Sequence, residues 1–263
     1  MRKKQKFLVG LASLTLFDIA GAAAADLPVK APLQAPAQTY NWEGFYIGGH
    51  AGYRWADANF SDPGYDFDTG SGVVTFPARN ESYHSNGWIG GVQAGYNVML
   101  TPMILAGLEG DWSWGSSSQS ITTAFSGVDS IGDGFTFSRT SEVKLTWQAT
   151  IRGRVGIVNG PWLFYGTGGV ALAHANWSEN SQLVSVFSGT FNSSLNSSQT
   201  LTGWVAGVGV EYMYTPNWIA RLEYLHEDFG TNAVPYGFGP QTGSLDLRDL
   251  NKVRVGISYK FGR

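Results

Sequence analysis

The sequence predicts an all-β protein: an eight-stranded antiparallel transmembrane up-and-down β-barrel with four long extracellular loops and short periplasmic turns. Three observations lead there. From about residue 43 onward, apolar residues recur with period two and not with helical periodicity. The connections between these alternating segments are short and long in turn. The aromatic residues gather toward the two ends of the segments, where two membrane–water interfaces would lie.

Composition agrees and removes other classes. Only 14% of the 263 residues are charged, against roughly 25% in a typical soluble domain. Mean hydropathy is nevertheless -0.10. A helical membrane protein would need several runs of about 20 apolar residues. With 0 cysteines, neither a disulfide framework nor a Cys-ligated zinc site is possible. A formal net charge of -3 offers no basic face for nucleic acid. What is abundant is glycine (35), tryptophan (10), tyrosine (12) and phenylalanine (15).

Residues 1–25 read as an export signal. Arg2, Lys3, Lys4 and Lys6 form a positive start, Phe7 to Ile19 is apolar, and Ala22 to Ala25 supply small residues for cleavage after Ala24 or Ala25. Asp18 is a charge inside the apolar stretch. Removing the segment takes four basic residues and one acidic one, leaving a net charge of about -6. Residues 26–41, with Pro28, Pro32 and Pro36, read as an extended periplasmic spacer.

Residues 42–263 form the barrel. Strand one alternates Phe45, Ile47, Ala51, Tyr53 and Trp55 with Tyr46, Gly48, His50, Gly52 and Arg54. Strand two carries Trp88, Val92, Ala94, Tyr96 and Val98 against Gly91, Gln93, Gly95 and Asn97. Strand three sets Ile104, Ala106, Leu108, Trp112 and Trp114 against Gly107, Glu109, Asp111 and Ser113. Strand four, Glu142 to Ile157, is the clearest. Val143, Leu145, Trp147, Ala149, Ile151, Val155 and Ile157 make an unbroken apolar face opposite Lys144, Gln148, Arg152 and Arg154. Strand five, Trp162 to Trp177, has two faces of nearly equal polarity. Strand six opposes Trp204, Ala206, Val208, Val210, Tyr212 and Tyr214 to Gly203, Gly207, Gly209 and Glu211. In strand seven, Trp218, Ala220, Leu222 and Tyr224 oppose Arg221 and Glu223. In strand eight, Val253, Val255, Ile257, Tyr259 and Phe261 oppose Lys252, Arg254, Ser258 and Lys260.

Thr101-Pro102, Asn159-Gly160-Pro161 and Thr215-Pro216-Asn217 are tight turns. The other connections, about 56–84, 115–140, 178–199 and 228–247, are long and rich in Gly, Ser, Asn and Asp. An even strand count puts both chain ends on the short-turn side, the periplasm. Trp55, Trp88, Trp112, Trp114, Trp177 and Trp204 fall near the long-loop ends. Trp162, Trp218, Tyr96, Tyr214, Tyr259 and Phe261 fall near the short turns.

An eight-stranded barrel has an interior just wide enough for side chains to fill. The inward set is glycine plus charges of both signs: Arg54, Glu109, Asp111, Lys144, Arg152 and Arg154 from the first strands, then Glu211, Arg221, Glu223, Lys252 and Arg254. Buried charges must pair. A structural charge network of Glu109, Asp111, Arg152, Arg154, Glu211, Arg221, Glu223 and Arg254 is therefore expected, with little or no steady conductance.

Several stretches carry a family resemblance: Ala24-Ala25-Asp26-Leu27-Pro28, Trp42-Glu43-Gly44-Phe45-Tyr46-Ile47-Gly48-Gly49, and Gly203-Trp204 with Gly207-Val208-Gly209-Val210-Glu211-Tyr212. Pro216-Asn217-Trp218, Leu222-Glu223-Tyr224 and the closing Val253 to Phe261 add to it. The chain resembles the small outer-membrane β-barrel proteins of alphaproteobacteria, often labelled porin-family or outer-membrane immunogenic proteins. The resemblance implies an OmpA-type transmembrane barrel in the outer membrane, with roles in envelope integrity and surface exposure and no catalysis. It implies contact with outer-membrane lipids and lipopolysaccharide and with the outer-membrane assembly machinery. Host or phage contacts would go through the loops. Some relatives bind haemin. Family members usually end on the aromatic that the assembly machinery reads; here Phe261 is followed by Gly262 and Arg263, so Tyr259 and Phe261 are the expected assembly signal.

No catalytic, cofactor or metal site is expected. His50, His84, His174 and His226 include no close pair for haem or metal. Asp62, Asp66, Asp68, Asp129 and Asp133 do not have EF-hand spacing. Gly166-Thr167-Gly168 and Gly207-Val208-Gly209 open no helix and are strand glycines. No long loop gathers a Ser/His/Asp or Glu/His set, so an outer-membrane protease or lipid A modifier lacks its cluster. The leading reading is a structural and surface protein. The alternatives are a narrow porin-like channel for small solutes and a haemin- or ligand-binding surface barrel.

Overall fold

The computed structural model describes residues 40–239 and 241–262, without side chains at 116 and 117. The export signal and all but the last two spacer residues lie outside the described residues. Eleven strands follow: β1 (Gly44–Asp62), β2 (Tyr65–Asp68), β3 (Val73–Phe76), β4 (Arg79–Met99), β5 (Ile104–Val128), β6 (Gly134–Asn159), β7 (Trp162–Ser185), β8 (Gly189–Met213), β9 (Trp218–Asp228), β10 (Thr231–Pro235) and β11 (Thr242–Lys260). Eight of them form a ring in the order β1-β4-β5-β6-β7-β8-β9-β11, and β11 pairs back onto β1. Every neighbouring pair is antiparallel, and closure from Tyr46↔Lys260 to Ser61↔Ser244 leaves the ring no free edge. The eight alternating segments read from the sequence are these eight strands.

The strands run far past the alternating segments. The long connections are largely continued barrel wall: β5 and β6 stay paired up to Val128↔Gly134, and β7 and β8 up to Ser185↔Gly189. The remaining connections hold the β2–β3 hairpin and β10, which pairs with β11. Three turns are tied together at the tip. Ser130 N donates to Val73 O at 3.0 Å, Val186 N to Gly134 O at 3.1 Å, and Phe187 N to Asp133 Oδ2 at 3.0 Å. The Ser- and Asn-rich composition that reads as loop is thus the solvent face of a sheet.

β11 switches its inward parity between Leu247 and Leu250, and β6 departs from simple alternation as well. The register shifts between Trp114 and Ser117 on β5 and between Leu145 and Trp147 on β6. Below this bulge the even residues of β6 point inward (Gln148, Thr150, Arg152, Arg154); above it the odd ones do (Val143, Leu145). A bulge re-aims the side chains that follow it. The apolar face from Val143 to Ile157 is therefore not one face. Its upper part lies in the barrel interior, and Lys144 is exposed on the outside rather than in the lumen.

Outward residues below the bulge form an apolar band that includes Ile151, Val155, Val208 and Val255. Trp55, Trp88, Trp112, Trp114 and Trp204 rim it on one side, and Trp162, Tyr214, Trp218 and Tyr259 on the other. Trp177 does not belong to the upper rim. It is buried in the interior, stacked on Phe60 with ring centroids 5.3 Å apart. β7 keeps its parity, and its upper half faces an apolar interior rather than lipid.

Candidate functional site

The interior is the candidate site, and it is filled in layers. At the short-turn end, Leu105, Val158, Leu163, Met213 and Ile219 close around Trp42. The Trp42 indole donates to Gly160 O at 3.2 Å.

The charge network sits above this plug. Arg152 donates to Glu109 Oε1 (2.5 Å), Glu223 Oε1 (2.9 Å) and Asp111 Oδ2 (3.1 Å). Arg254 spans from Glu223 Oε2 (2.6 Å) to Asp111 Oδ1 (3.0 Å). Glu211 Oε1 takes Arg154 at 2.7 Å and Arg221 at 2.6 Å, and Arg221 also reaches Glu109 Oε2 at 2.5 Å. All eight residues expected in the network are thus joined in one cluster. Two tyrosines flank it: Tyr46 Oη donates to Glu109 Oε2 at 2.6 Å, and Tyr165 Oη to Glu223 Oε1 at 2.8 Å. The Arg154 guanidinium lies 4.8 Å from the centre of the Tyr46 ring and 5.2 Å from that of Tyr165. Room for these rings comes from glycine: a Cβ on Gly95 would meet the Tyr46 hydroxyl, and one on Gly209 the Tyr165 ring.

A second tier continues upward. Lys252 Nζ contacts Glu227 Oε1 at 2.5 Å. Gln148 links Arg54 to Glu227, accepting at 3.1 Å and donating at 3.1 Å. His50 lies between Gln93 Oε1 (3.1 Å) and Ser113 Oγ (2.9 Å), with both ring nitrogens engaged. Six cationic and five anionic side chains are buried in these two tiers. This near balance is what a low-dielectric interior requires.

Above lies an apolar core of Ala56, Phe60, Leu145, Trp177, Leu201 and Leu225 with their neighbours. Next comes a smaller polar tier: Arg139 reaches Glu81 at 2.8 Å and Glu179 at 3.6 Å, and Arg79 reaches Asp62 at 3.0 Å. A lid of Phe76, Phe137, Phe238 and Leu183 caps the mouth. Tyr65 carries the lid: its ring stacks on Phe76 at 4.7 Å, and its hydroxyl accepts from Phe238 N at 3.1 Å. Burial pushes that hydroxyl up to about 12.

Tyr46 and Asn97, whose side-chain oxygen accepts from Arg154 at 2.7 Å, join the network, and Gln148 and Glu227 join the tier above it, although charge-pair reasoning passed over them. The first three lie on inward positions already legible in the alternation. Glu227 lies where the sequence reads as strand end and loop. Tyr259 and Phe261 sit on the outside at the short-turn end. The Tyr259 ring lies 5.2 Å from Trp218 and 5.1 Å from Phe261.

Comparison with known proteins gives a consistent set. A model of the outer membrane protein beta-barrel domain matches residues 12–261. The 31 kDa outer-membrane immunogenic protein of Brucella melitensis is 33% identical over 258 residues, covering 95% of this chain and 98% of the relative. The 25 kDa outer-membrane immunogenic protein of Brucella abortus is 28% identical over 267 residues, covering 99% and 100%. A 22 kDa outer membrane protein of Rhizobium leguminosarum is 29% identical over 221 residues, covering 84% and 79%.

Proposed function

The chain belongs to the outer-membrane β-barrel protein family, and on that premise we propose that it is a sealed structural barrel that presents a folded surface outside the cell and catalyses nothing. It resides in the outer membrane, with lipid and lipopolysaccharide around its apolar band. The observation that carries the reading is the interior itself: an apolar plug, a paired charge network, an apolar core and an aromatic lid stacked along one axis. Each of the five carboxylates of the main tiers is taken up by a guanidinium or ammonium group. None is left to serve a substrate as acid, base or nucleophile. Engagement of both His50 nitrogens argues likewise against axial ligation of haem there.

The remaining assignments are carried by the sequence. Residues 1–25 direct export and are removed, and residues 26–41 tether the barrel on the periplasmic side. Tyr259 and Phe261, paired on the lipid-facing end of the last strand, act as the assembly signal. Liposome swelling tests the sealed interior. Refolded protein in vesicles should admit small sugars and amino acids no faster than protein-free vesicles do. Swelling that rises with protein content and falls with solute size would establish the narrow-channel alternative.

A further inference from the structure

The outward face of the β5–β8 wall changes character at the upper aromatic rim. Below the rim, β7 and β8 turn Phe164, Val170, Trp204 and Val208 toward lipid. Above it, without a change of strand or face, β8 presents Thr202, Thr200, Ser198, Asn196, Ser194 and Asn192, all exposed. The register continues this surface sideways: Asn176 faces Ser198, Asn180 faces Ser194, and Gln182 faces Asn192. Thr140 of β6 lies across from Asn180 and from Thr122 of β5. Among the described residues of this face, the only charges are Glu142 and Lys144, close to the rim. The rim is fixed by a stack in which Trp112 lies 4.5 Å from Trp147, and Trp147 lies 5.4 Å from His174 with an interplanar angle of 3°. From Trp204 to Thr190 the polar row runs about 45 Å along the strand, at ~3.3 Å per residue. Two open troughs cross it, of about 390 and 490 Å³. The walls of the larger include Ser138, Asn180, Gln182 and Ser194.

The chemistry of this face is selective. Its outward strand positions above the rim carry no exposed aromatic or arginine anchor of the kind that carries protein–protein binding, and the Arg139 and Trp177 that border the troughs are buried. It lacks the cation cluster that phosphate recognition needs. It offers hydroxyl and amide groups, each able to donate and accept, on a continuously paired antiparallel sheet. Its position adds the decisive constraint. The face continues the lipid-contacting surface upward, so what lies beside it is the part of the surrounding glycolipids that projects above the outer leaflet. We propose that the outward β5–β8 face is a docking surface for the neutral saccharide of those glycolipids. This rests on the outer-membrane orientation given above and names the partner of that surface. The barrel is thereby coupled sideways to the sugar layer as well as to the acyl layer. Lys144 and His174 at the rim mark the level where the sugar-bearing headgroups begin.

The test uses the full chain refolded in phospholipid nanodiscs. The probe is polysaccharide released by mild acid from the producing cells' own lipopolysaccharide, free of lipid A. Dextran and heparin serve as comparison glycans. Wild type should bind the released polysaccharide and prefer it to heparin. The triple variant Asn180→Ala, Asn192→Ala, Asn196→Ala should bind at least tenfold more weakly with unchanged heat-modifiable mobility. Ser61→Ala on the opposite wall should bind as wild type. Failure of wild type to bind, or equal binding by the triple variant, overturns the proposal. Preference for heparin overturns it in favour of an anionic host-type glycan. Liposome swelling by the same variants reports on the sealed interior independently, so failure of the docking surface and failure of the sealed barrel are distinguishable.

Discussion

Replacing Arg152 with methionine removes a guanidinium from the centre of the charge network while keeping most of the side-chain volume. Arg152 is fully buried and holds Glu109, Glu223 and Asp111 at 2.5, 2.9 and 3.1 Å. Without it those three carboxylates keep Arg221, Arg254 and Arg154 as charge partners and the hydroxyls of Tyr46, Tyr165 and Thr150 besides. Removing one member of a buried ion pair leaves uncompensated charge in a low-dielectric site and costs about 3–5 kcal/mol. That is roughly two to three and a half orders of magnitude in the folding equilibrium. The assay is urea unfolding of the barrel in lipid vesicles, followed by tryptophan fluorescence and heat-modifiable mobility. Adding Glu223→Gln removes one of the stranded carboxylates. The double variant should therefore be less destabilised than the sum of the singles by about 1–3 kcal/mol, the coupling expected within one network. Arg152→Lys keeps the charge but loses the planar fork that bridges the carboxylates, so it should fall between wild type and Arg152→Met. Arg152→Met within about 1 kcal/mol of wild type, together with an additive double variant, would refute the reasoning that the lumen is an energetic network.

Three other outcomes follow from the same structure. Trp177→Ala empties the space against Phe60 and Tyr83 and should cost about 3–5 kcal/mol in urea unfolding; a loss under about 1 kcal/mol would return Trp177 to the lipid-facing rim. Gly209→Ala drives a methyl group into Tyr165, which is held by its 2.8 Å bond to Glu223, and should cost about 1–3 kcal/mol as an overpacked site; unchanged stability would mean that the ring moves freely. The lid should open in alkali. The folded pKa of Tyr65 is raised by burial to about 12, so the stability held by the neutral phenol is complete below its unfolded value near 10 and is lost as pH climbs toward 12. Protease nicking of the lid should rise in that window and shift upward in Tyr65→Phe; identical profiles would contradict it.

Alternation was enough to find all eight wall strands, because lipid on one side and a filled lumen on the other impose opposite polarity on successive residues. It also found Arg152, Glu223 and Arg254 as inward charges on strands that the ring brings together. It failed at Thr146. A bulge has no signature in period-two counting when the residues on both sides of it remain apolar on the same parity. Val143 and Leu145 therefore counted as lipid-facing although they line the interior core, and Lys144 counted as a lumen charge although it is exposed. The extracellular wall was hidden for a related reason. Its inward residues, such as Phe137, Leu183 and Trp177, alternate with Ser, Thr and Asn, and those polar residues dominate the local composition. Strand and loop differ there in what the inward side packs against, and that is a property of the closed ring.

The sealed interior is tested most directly by single-channel recording on full-length refolded protein in planar bilayers. The layered lumen predicts a baseline without steady open-channel steps, both in wild type and in a variant lacking the lid phenylalanines Phe76 and Phe238, because the charge network and the Trp42 plug lie below them. Reproducible, protein-dependent open steps in wild type would contradict it.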